Sequence, residues 1–332
     1  MNRHSLFFTA PRQVEVRPET LPVLAPDQVL VKTICSAISS GTELLVYRGE
    51  APTDLATDAT ISSLAGSLSF PLKYGYSSVG RVVELGAEVD TIWQDRLVFS
   101  FNPHETFFTS STADLIALPP DLAPEEALFI PNLETAVNFL HDGAPLVGER
   151  VAVFGQGLVG LLTTELLSRI PSLHVQTFDL YPFRRELSLK AGANESSDPD
   201  SISNLQSLIS NFDLTYELSG SPAALDIALA VTGFNGRLVI GSWYGTKPVS
   251  LDLGGRFHRS RIKLISSQVS TLTPALMARW SKARRLDTVL QLLPQIQPTR
   301  YITQRFPFSQ AAEAYQLLDQ HPEETLQVIF TY

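Results

Sequence analysis

A glycine-rich turn constrains the fold of this chain more than any other feature. Residues 155–160 read Gly-Gln-Gly-Leu-Val-Gly, after the strand-like segment Arg150–Phe154 and at the start of the helix-like segment Leu158–Arg169. In this spacing the first glycine permits a tight turn, the second lets backbone N–H groups approach a pyrophosphate, and the third lets helix and strand pack closely. The helix N-terminus adds partial positive charge. We therefore predict a dinucleotide-binding turn, rather than glycines that serve only a bend, with candidate contacts from Gly155, Gly157, Leu158, Val159 and Gly160.

A carboxylate follows the next predicted strand, at the position where a dinucleotide's ribose is bound. The segment His174–Phe178 ends at Asp179, roughly 20 residues after Gly160,. A carboxylate there accepts hydrogen bonds from both ribose hydroxyls and repels a 2′-phosphate, so NAD(H) is favoured and NADP(H) remains possible. Arg184 and Arg185 follow closely. They either contact the adenine or a phosphate, which would weaken that preference, or lie on a solvated helix face.

Strand-like and helix-like segments alternate from Pro124 to about residue 270. After the two strands already described, the pattern continues with Phe183–Ala191 (helix), Leu214–Leu218 (strand), Pro222–Val231 (helix) and Arg237–Ile240 (strand). Such alternation indicates βαβ units and a parallel sheet. Pro124-Glu125-Glu126 is typical of a helix N-terminus, where carboxylates are favoured.

The first 120 residues have a different character, with short apolar segments separated by Gly, Pro, Asp and Asn. The predicted strands are Gln28–Ile34, Gly80–Leu85 and Arg96–Phe101, and the chain ends in another, Gln327–Phe330. These features predict a β-rich unit. The Ala-, Ser-, Thr- and Asp-rich stretch from Glu50 to Phe70 is interpreted as a mobile loop, or a short helix with a loop.

Composition excludes several classes of protein. The 332 residues include one cysteine, and 25 Lys+Arg against 34 Asp+Glu give a net charge of −9. That charge gives no reason to bind nucleic acid or an anionic membrane. One cysteine excludes an intrachain disulfide framework and four-cysteine zinc modules. There is no apolar run of the roughly 18 residues that a membrane helix needs, and no secretory signal, so we expect a soluble, cytoplasmic protein.

The order of a β-rich unit, a dinucleotide-binding unit and a short return segment resembles the medium-chain dehydrogenase/reductase superfamily, which includes the zinc alcohol dehydrogenases. Ser40-Gly41-Thr42-Glu43 resembles that family's Cys-Gly-Thr-Asp, and residues 75–82 resemble its G-H-E-x-x-G-x-V. Arg237–Gly241 resembles the glycine-ended strand beside the nicotinamide, which implies cofactor contacts from Gly241 and Ser242.

The resemblance implies an α/β fold made of a GroES-like, β-rich catalytic domain and a Rossmann domain with a doubly wound parallel sheet. The expected boundaries are 1–132 and 271–332 for the catalytic domain and 133–270 for the Rossmann domain. The expected partners are a small-molecule substrate and a second copy of the chain, as a homodimer.

The positions that bind the catalytic metal in this family differ here. The position of the family's cysteine ligand is Ser40, and that of its histidine ligand is Tyr76. The third ligand falls at or beside Pro131. None of these side chains is a suitable zinc ligand. Cys35 is five residues before Ser40, so it is out of register with the ligand position. The resemblance therefore implies a member that works without zinc.

Without a metal, hydrogen-bond donors must stabilise the charge that develops on the substrate oxygen during hydride transfer. Tyr76 is the first candidate, as electrophile or general acid, although it could merely fill the volume that the metal leaves. Thr42 resembles the family's proton-relay hydroxyl, and Ser40 could bond to the same oxygen. His104 is a further candidate, with a structural histidine as the alternative.

The segment before the Rossmann unit supplies two more candidates. Thr135 matches the family position that contacts the nicotinamide ring. Glu134 beside it is either a general base, a partner of the cofactor's carboxamide, or an N-terminal-turn carboxylate.

Three functions are compatible with these residues. The leading one is an NAD-dependent, zinc-independent oxidoreductase for an alcohol or carbonyl substrate, most simply a secondary alcohol, since the motifs around Ser40 and Tyr76 resemble the bacteriochlorophyllide hydroxyethyl dehydrogenase branch. The second is an NADPH-dependent enoyl or quinone reductase. The third is a noncatalytic dinucleotide-binding protein.

Overall fold

The computed structural model of the chain describes residues 2–54, 66–201 and 212–332. The loop predicted between Glu50 and Phe70 therefore falls partly outside the described residues, at positions 55–65. In the described ranges, each helix is too short or too polar to cross a lipid bilayer.

The strands are, in chain order, β1 Asn2–Ala10, β2 Gln13–Thr20, β3 Gln28–Ala37, β4 Ser78–Leu85, β5 Leu97–Ser100, β6 Phe107–Ser111, β7 Leu115–Ala117, β8 Arg150–Phe154, β9 His174–Phe178, β10 Glu195–Ser197, β11 Phe212–Glu217, β12 Thr232–Ile240, β13 Lys263–Ser266, β14 Ile302–Pro307 and β15 Gln327–Thr331. The α-helices are α1 Thr42–Arg48, α2 Pro124–Ala127, α3 Ile130–Gly143, α4 Leu158–Ser168, α5 Pro182–Lys190, α6 Pro222–Val231, α7 Lys282–Ile296 and α8 Ala311–Gln320.

The chain folds as two compact units, and the first is built from both ends of the sequence. It comprises Met1–Ile130 and Gln297–Tyr332, and the second comprises Pro131–Ile296. The second boundary therefore lies at Ile296, whereas the sequence placed it at residue 270. The physical reason is the buried side chain of Arg285 in α7, which binds the side chains of Glu134 and Asn138 in α3.

The first unit contains a seven-stranded sheet and a separate hairpin. The main path of the sheet is β14-β15-β3-β4-β5-β7, with β6 also paired to β3, and all its pairings are antiparallel except β14 with β15. The hairpin pairs β1 with β2. Helix α8 packs its buried Tyr315 against Phe8 and Phe330, which joins the hairpin and the C-terminal strand to one core.

The second unit contains a six-stranded sheet in the order β10-β9-β8-β11-β12-β13. Every pairing in it is parallel. This is the doubly wound strand order, in which the chain reverses direction between β8 and β11 and ligands bind at the carboxyl ends of those strands. Apolar residues cover both faces of β8, as parallel strands buried on both sides require,.

The sequence predicted this second unit closely. Strands β8 and β9 and helix α6 have the predicted bounds, while α4 differs from its prediction by one residue at its C-terminal end and α5 by one residue at each end. Strands β3, β4, β5 and β15 also lie where strands were predicted. The helix predicted at Pro124 is only four residues long, and it is followed by a longer helix, α3, which begins at Ile130, beside the helix start that the resemblance implied at Pro131–Thr135.

Candidate active site

The three glycines of the predicted dinucleotide turn have three different surroundings. Gly155 has φ +89°, and a Cβ there would lie 2.7 Å from the backbone of Ser219 in the loop after β11. A Cβ on Gly160 would lie 2.0 Å from the Gly155 carbonyl oxygen. A Cβ on Gly157 would meet nothing within 4 Å. The first and third glycines are thus needed for folding of the turn, whereas the second leaves open space beside its backbone.

Helix α4 begins at this turn with its first N–H groups available to a ligand. Gly157 is its N-cap, with no side-chain hydrogen bond to the cap in the described structure. Unpaired N–H groups and the helix dipole together favour an anion at such a position. The following residues Leu158 and Val159, both predicted contacts, form the first turn of the helix.

The buried side chain of Gln156 links the glycine turn to helix α4 by hydrogen bonds, a role that the sequence did not reveal. Its side chain is fully buried, its amide oxygen accepts a hydrogen bond from the Thr164 hydroxyl at 3.0 Å, and its amide nitrogen donates to the Gly155 carbonyl at 3.2 Å. The turn is therefore bonded to a buried residue of helix α4, which begins at this turn.

Asp179 lies against this turn, at the end of β9. It is 7% exposed, and its two carboxylate oxygens accept N–H hydrogen bonds from Gln156 at 2.7 Å and Tyr181 at 2.9 Å. A carboxylate offers about four acceptor positions, so these two bonds leave capacity for ribose hydroxyls. The sequence prediction brought together the turn and this carboxylate, and the structure places them in direct contact.

The two arginines after Asp179 have separate environments. The Arg184 guanidinium lies 4.9 Å from the centre of the Tyr181 ring. Arg185 donates to the backbone carbonyls of Asp179 at 2.7 Å and Leu180 at 2.8 Å. Arg185 thus supports the loop that carries Asp179, and Arg184 stacks on that loop's aromatic ring.

Gly241 and Ser242 follow β12, at the carboxyl edge of the same sheet. A Cβ on Gly241 would lie 2.3 Å from the Phe139 ring, so only glycine fits there. The neighbouring Glu217 is fully buried and accepts hydrogen bonds from the Ser219 N–H at 2.8 Å and the Tyr244 hydroxyl at 2.6 Å. Glu217 therefore connects the loops that follow β11 and β12.

Glu134 and Thr135 lie in α3, and both are engaged within the second unit. The Arg285 guanidinium lies 3.0 Å from the Glu134 carboxylate, and Arg285 is 1% exposed. The Thr135 hydroxyl donates to the Pro131 carbonyl at 2.8 Å, one helical turn earlier. Of the open interpretations of Glu134, this contact favours a carboxylate in the first turns of the helix, held by a buried arginine.

The hydroxyls of Tyr76, Ser39 and Thr42 form a cluster of three in the first unit. The Tyr76 hydroxyl donates to the Ser39 Oγ, and its oxygen lies 3.5 Å from the Thr42 Oγ1. Burial raises the pKa of Tyr76 and the charge of Glu43 raises it further, while the hydrogen bonds to Ser39 and Thr42 act in the opposite direction. Tyr76 is therefore a neutral hydrogen-bond donor at ordinary pH.

The serine in this cluster is Ser39, whereas the sequence proposed Ser40. The two are adjacent, just before Gly41 at the start of α1, and the family motif aligns the metal-ligand cysteine with Ser40. A difference of one residue in the turn before a helix changes the direction of the side chain completely. The pair of adjacent serines was the only signal in the sequence for Ser39.

His104 lies in the interior of the first unit, where the structural alternative would put it rather than the catalytic one. It is fully buried, and its ring nitrogens lie 2.7 Å from the Ser36 Oγ and 3.0 Å from the Glu43 carboxylate. Both ring nitrogens are thereby occupied by protein groups. The structural alternative for His104 is the one that its contacts support.

The residues present do not fit a catalytic zinc ion. Hydroxyl and proline side chains occupy the positions of the family's ligands, and zinc prefers thiolate, imidazole and carboxylate. Burial raises the pKa of the Cys35 thiol to about 12, so this cysteine is not a ready thiolate,. Among the described residues, no group of three or more His, Cys, Asp and Glu side chains is arranged to hold a metal.

The second unit's strand order, its glycine turn and the carboxylate after β9 define a Rossmann domain for a nicotinamide dinucleotide. The first unit's antiparallel sheet, assembled from both ends of the chain, is the GroES-like domain that accompanies it in medium-chain alcohol dehydrogenases. The fold class predicted from the sequence is confirmed by the solved structures that the chain resembles.

No known protein-family profile matches the chain. Among curated proteins, it is 24% identical to the D-guloside 3-dehydrogenase of Escherichia coli K12, over 98% of this chain and 99% of the relative. It is also 24% identical to the sorbitol dehydrogenase of Bacillus subtilis, over 68% of this chain and 71% of the relative.

Solved structures of other proteins have a similar fold over almost the whole length of this chain. An alcohol dehydrogenase of Escherichia coli complexed with NADH has a TM-score of 0.81 and 18% identity, covering 100% of this chain and 99% of its own. The 2R,3R-butanediol dehydrogenase of Bacillus subtilis has a TM-score of 0.81 and 17% identity, covering 99% of each chain. These relatives are of the zinc-type, medium-chain alcohol dehydrogenase kind. This chain is an NAD(P)-dependent oxidoreductase of the dehydrogenase type.

Proposed function

We propose that the chain is a zinc-independent, NAD-dependent dehydrogenase that transfers hydride between a nicotinamide and a secondary alcohol or its ketone. The observation that carries this proposal is the Tyr76 hydroxyl, bonded to Ser39 and close to Thr42 at the position of the family's metal-binding histidine. A neutral phenol there can stabilise, by a hydrogen bond, the negative charge on the substrate oxygen that a metal ion would otherwise stabilise as a Lewis acid.

The dinucleotide would be held by residues of the second unit. The N–H groups at the start of α4 and the space beside Gly157 suit its pyrophosphate, and Asp179 suits the adenosine ribose,. Gly241, Ser242 and Thr135 are the proposed contacts of the nicotinamide half. Because Asp179 repels a 2′-phosphate, NAD is preferred over NADP.

When bound, the nicotinamide supplies or accepts the hydride. The work of this chain is to manage the charge and the proton on the substrate oxygen. In ketone reduction, the Tyr76 O–H turns from Ser39 Oγ to the substrate oxygen as that oxygen becomes negative, and then transfers its proton to it. The Ser39 and Thr42 hydroxyls are partly exposed, and each can donate one hydrogen bond while accepting another, so a proton from solvent can pass through them to restore the Tyr76 phenol,. In alcohol oxidation the same transfers run in reverse.

Two lines of support favour a secondary alcohol. The curated relatives are named for the hydroxylated compounds D-guloside, sorbitol and L-threonine. The segments around Ser39 and Tyr76 resemble the bacteriochlorophyllide hydroxyethyl dehydrogenase branch, whose substrate bears a 1-hydroxyethyl group on a pigment ring. We accordingly include aryl 1-hydroxyethyl compounds and polyols as substrate candidates. A homodimer remains the proposed assembly.

The test combines cofactor binding with one hydroxyl deletion. We expect NADH to bind more tightly than NADPH. We also expect turnover with at least one compound of a panel of polyols and aryl 1-hydroxyethyl alcohols. Tyr76→Phe should lower kcat about 100-fold or more with little change in the Kd for NADH, because one oxyanion donor is removed. The control is Tyr301→Phe, which deletes another buried phenol of the same unit whose partner is Arg300.

Three results would contradict the proposal. Binding NADPH at least tenfold more tightly than NADH would favour an enoyl or quinone reductase. A kcat for Tyr76→Phe within twofold of the parent would remove Tyr76 from the mechanism. Turnover below detection with both cofactors across the panel would favour a noncatalytic dinucleotide-binding protein.

A further inference from the structure

A buried acid–histidine pair lies directly behind the Tyr76 hydroxyl cluster. His104 Nε2 and Glu43 Oε2 are 3.0 Å apart, and both side chains are completely buried. His104 lies after β5 and Glu43 lies in the first turn of α1, so the pair joins two distant parts of the first unit. A buried ion pair is costly unless its remaining positions are also bonded.

Those remaining positions are bonded. The other His104 nitrogen faces the Ser36 hydroxyl at 2.7 Å, and that hydroxyl lies 2.8 Å from the Tyr332 hydroxyl. The Tyr315 hydroxyl of α8 donates to the same Glu43 oxygen that faces His104. Side chains from β3, α1, α8, the loop after β5 and the C-terminal residue thus form one network. A fully satisfied buried network of this kind fixes the geometry of its members.

The second Glu43 oxygen connects the network to the hydroxyl cluster. It accepts the Ser39 N–H at 2.8 Å, while the Glu43 N–H donates to the Ser39 carbonyl at 2.9 Å. These reciprocal bonds fix Ser39 at both its backbone groups. The side chain of that same serine accepts the hydrogen bond from Tyr76.

We propose that Glu43, held by His104 and Tyr315, is a positioning residue that fixes Ser39 and, through it, the Tyr76 hydroxyl that donates to the substrate. This inference rests on the proposed function of Tyr76. In the family motif an acidic residue at this place follows a metal-ligand cysteine, whereas here it is bonded to a buried histidine and two hydroxyl-bearing residues. Glu43 would therefore act on the phenol that stands in the metal's place.

Electrostatics point the same way as the geometry. A negative charge near a phenol disfavours its ionisation, and Glu43 contributes to the raised pKa of Tyr76,. The titratable groups around the network are Tyr47, Tyr76, His104, Tyr315 and Tyr332, with Cys35 and Glu105 next to Tyr332. Burial and the Glu43 charge raise the pKa values of Tyr315 and Tyr332, so both phenols stay neutral, and Tyr315 donates its hydrogen bond to Glu43.

The experiment is a phenol titration of the full-length protein, by tyrosinate absorbance, with each curve subtracted from that of the matching Tyr76→Phe protein. Glu43→Gln keeps the shape of the side chain and removes its charge. We expect the midpoint of Tyr76 to fall, and the alkaline limb of the kcat profile to move with it. We also expect kcat at neutral pH to fall roughly tenfold, with an unchanged Kd for NADH.

Two further variants separate positioning from general stability. Glu105→Gln alters another buried carboxylate of the same unit, which bonds Ser5 and Asn102, and should leave the Tyr76 midpoint unchanged. Tyr315→Phe removes one hydrogen bond from Glu43 but keeps its charge. It should lower kcat several-fold without lowering the midpoint, and it serves if Glu43→Gln does not fold.

An unchanged Tyr76 midpoint in Glu43→Gln, or the same fall in Glu105→Gln, would overturn the inference. So would wild-type kcat in Tyr315→Phe. Because the titration needs no substrate, it still decides the role of Glu43 if Tyr76→Phe retains full turnover, the result that would defeat the proposed function instead.

Discussion

The three glycines of the dinucleotide turn illustrate how one motif contains residues with separable tasks. Gly160 is needed because its α-carbon packs against the Gly155 carbonyl, whereas at Gly157 we propose that the dinucleotide approaches the backbone through the open space there,. The first requirement concerns the folded protein alone, and the second concerns only the complex with the dinucleotide. Substitution by alanine should therefore affect different measurements at the two positions.

We predict that Gly160→Ala lowers the free energy of unfolding by about 1–3 kcal/mol, because a Cβ would overlap backbone and force the start of α4 to move,. Gly157→Ala should leave stability within about 0.5 kcal/mol but raise the Kd for NADH at least tenfold. Denaturant unfolding and cofactor titration of both variants check this. Equal stability loss in the two variants, or unchanged NADH binding by Gly157→Ala, would contradict it.

At the same scale, the sequence predicted residues that belong to a local motif and missed residues defined by distant contacts. The turn and Asp179 follow a spacing, so they could be found. Ser39 could not be distinguished from Ser40, because the direction of a side chain in a turn depends on the backbone. The burial of His104 depends on Ser36 and Glu43, which no local pattern connects to it.

Among the elements, the helices α3 and α7 are joined by one buried arginine. Arg285 donates to the side chains of Glu134 and Asn138 and to the carbonyls of Val269 and Thr271. It is the largest of the side chains that are almost completely buried. The sequence showed a helix-like pattern after residue 271 but not this contact, because a single arginine in a basic segment looks like a surface residue.

We predict that Arg285→Met destabilises the second unit by about 3–5 kcal/mol, since Glu134 and two carbonyls would be left buried without their donor. The neighbouring Arg284→Met is the control, because Arg284 is exposed and stacks on Trp280 at 4.2 Å, an interaction worth about 0.5–1 kcal/mol,. Thermal and denaturant unfolding measure both. A loss of less than 1 kcal/mol in Arg285→Met would show that this contact does not hold the helices together.

Helix α3 also contains a histidine whose protonation opposes folding. Burial lowers the pKa of His141 from 6.5 to about 4, and Arg285 and Arg284 contribute. Between these values the unfolded chain binds more protons at His141 than the folded chain, so stability falls as the pH drops below 6.5.

We predict that His141→Phe, which can keep the ring contact with Trp280, flattens the loss of stability between pH 6.5 and pH 4. Unfolding curves of the variant and its parent across that range measure the difference. His321→Phe alters an exposed histidine beside Glu323 and should keep the parent's slope. Parallel pH dependences for His141→Phe and the parent would contradict the assignment.

At the scale of the whole molecule, the chain passes from the β-rich unit into the Rossmann unit and returns. The alternation of strands and helices predicted that plan, and the first boundary lies at Ile130, two residues from its predicted place. The return lies much later than predicted. Helix α7 is amphipathic and would suit either unit by pattern alone. Its contacts with the second unit include the buried partners of Arg285 and the bonds from Arg169 to Gln295.

We propose that this protein transfers hydride with a tyrosine-centred hydroxyl cluster in place of a zinc ion. The most direct measurement is the metal content and turnover of the same preparation before and after chelation and dialysis. We predict less than about 0.1 zinc per chain, unchanged kcat with a secondary alcohol and NAD, and no gain on adding zinc. Stoichiometric zinc, with turnover lost on its removal and restored by its return, would contradict the claim.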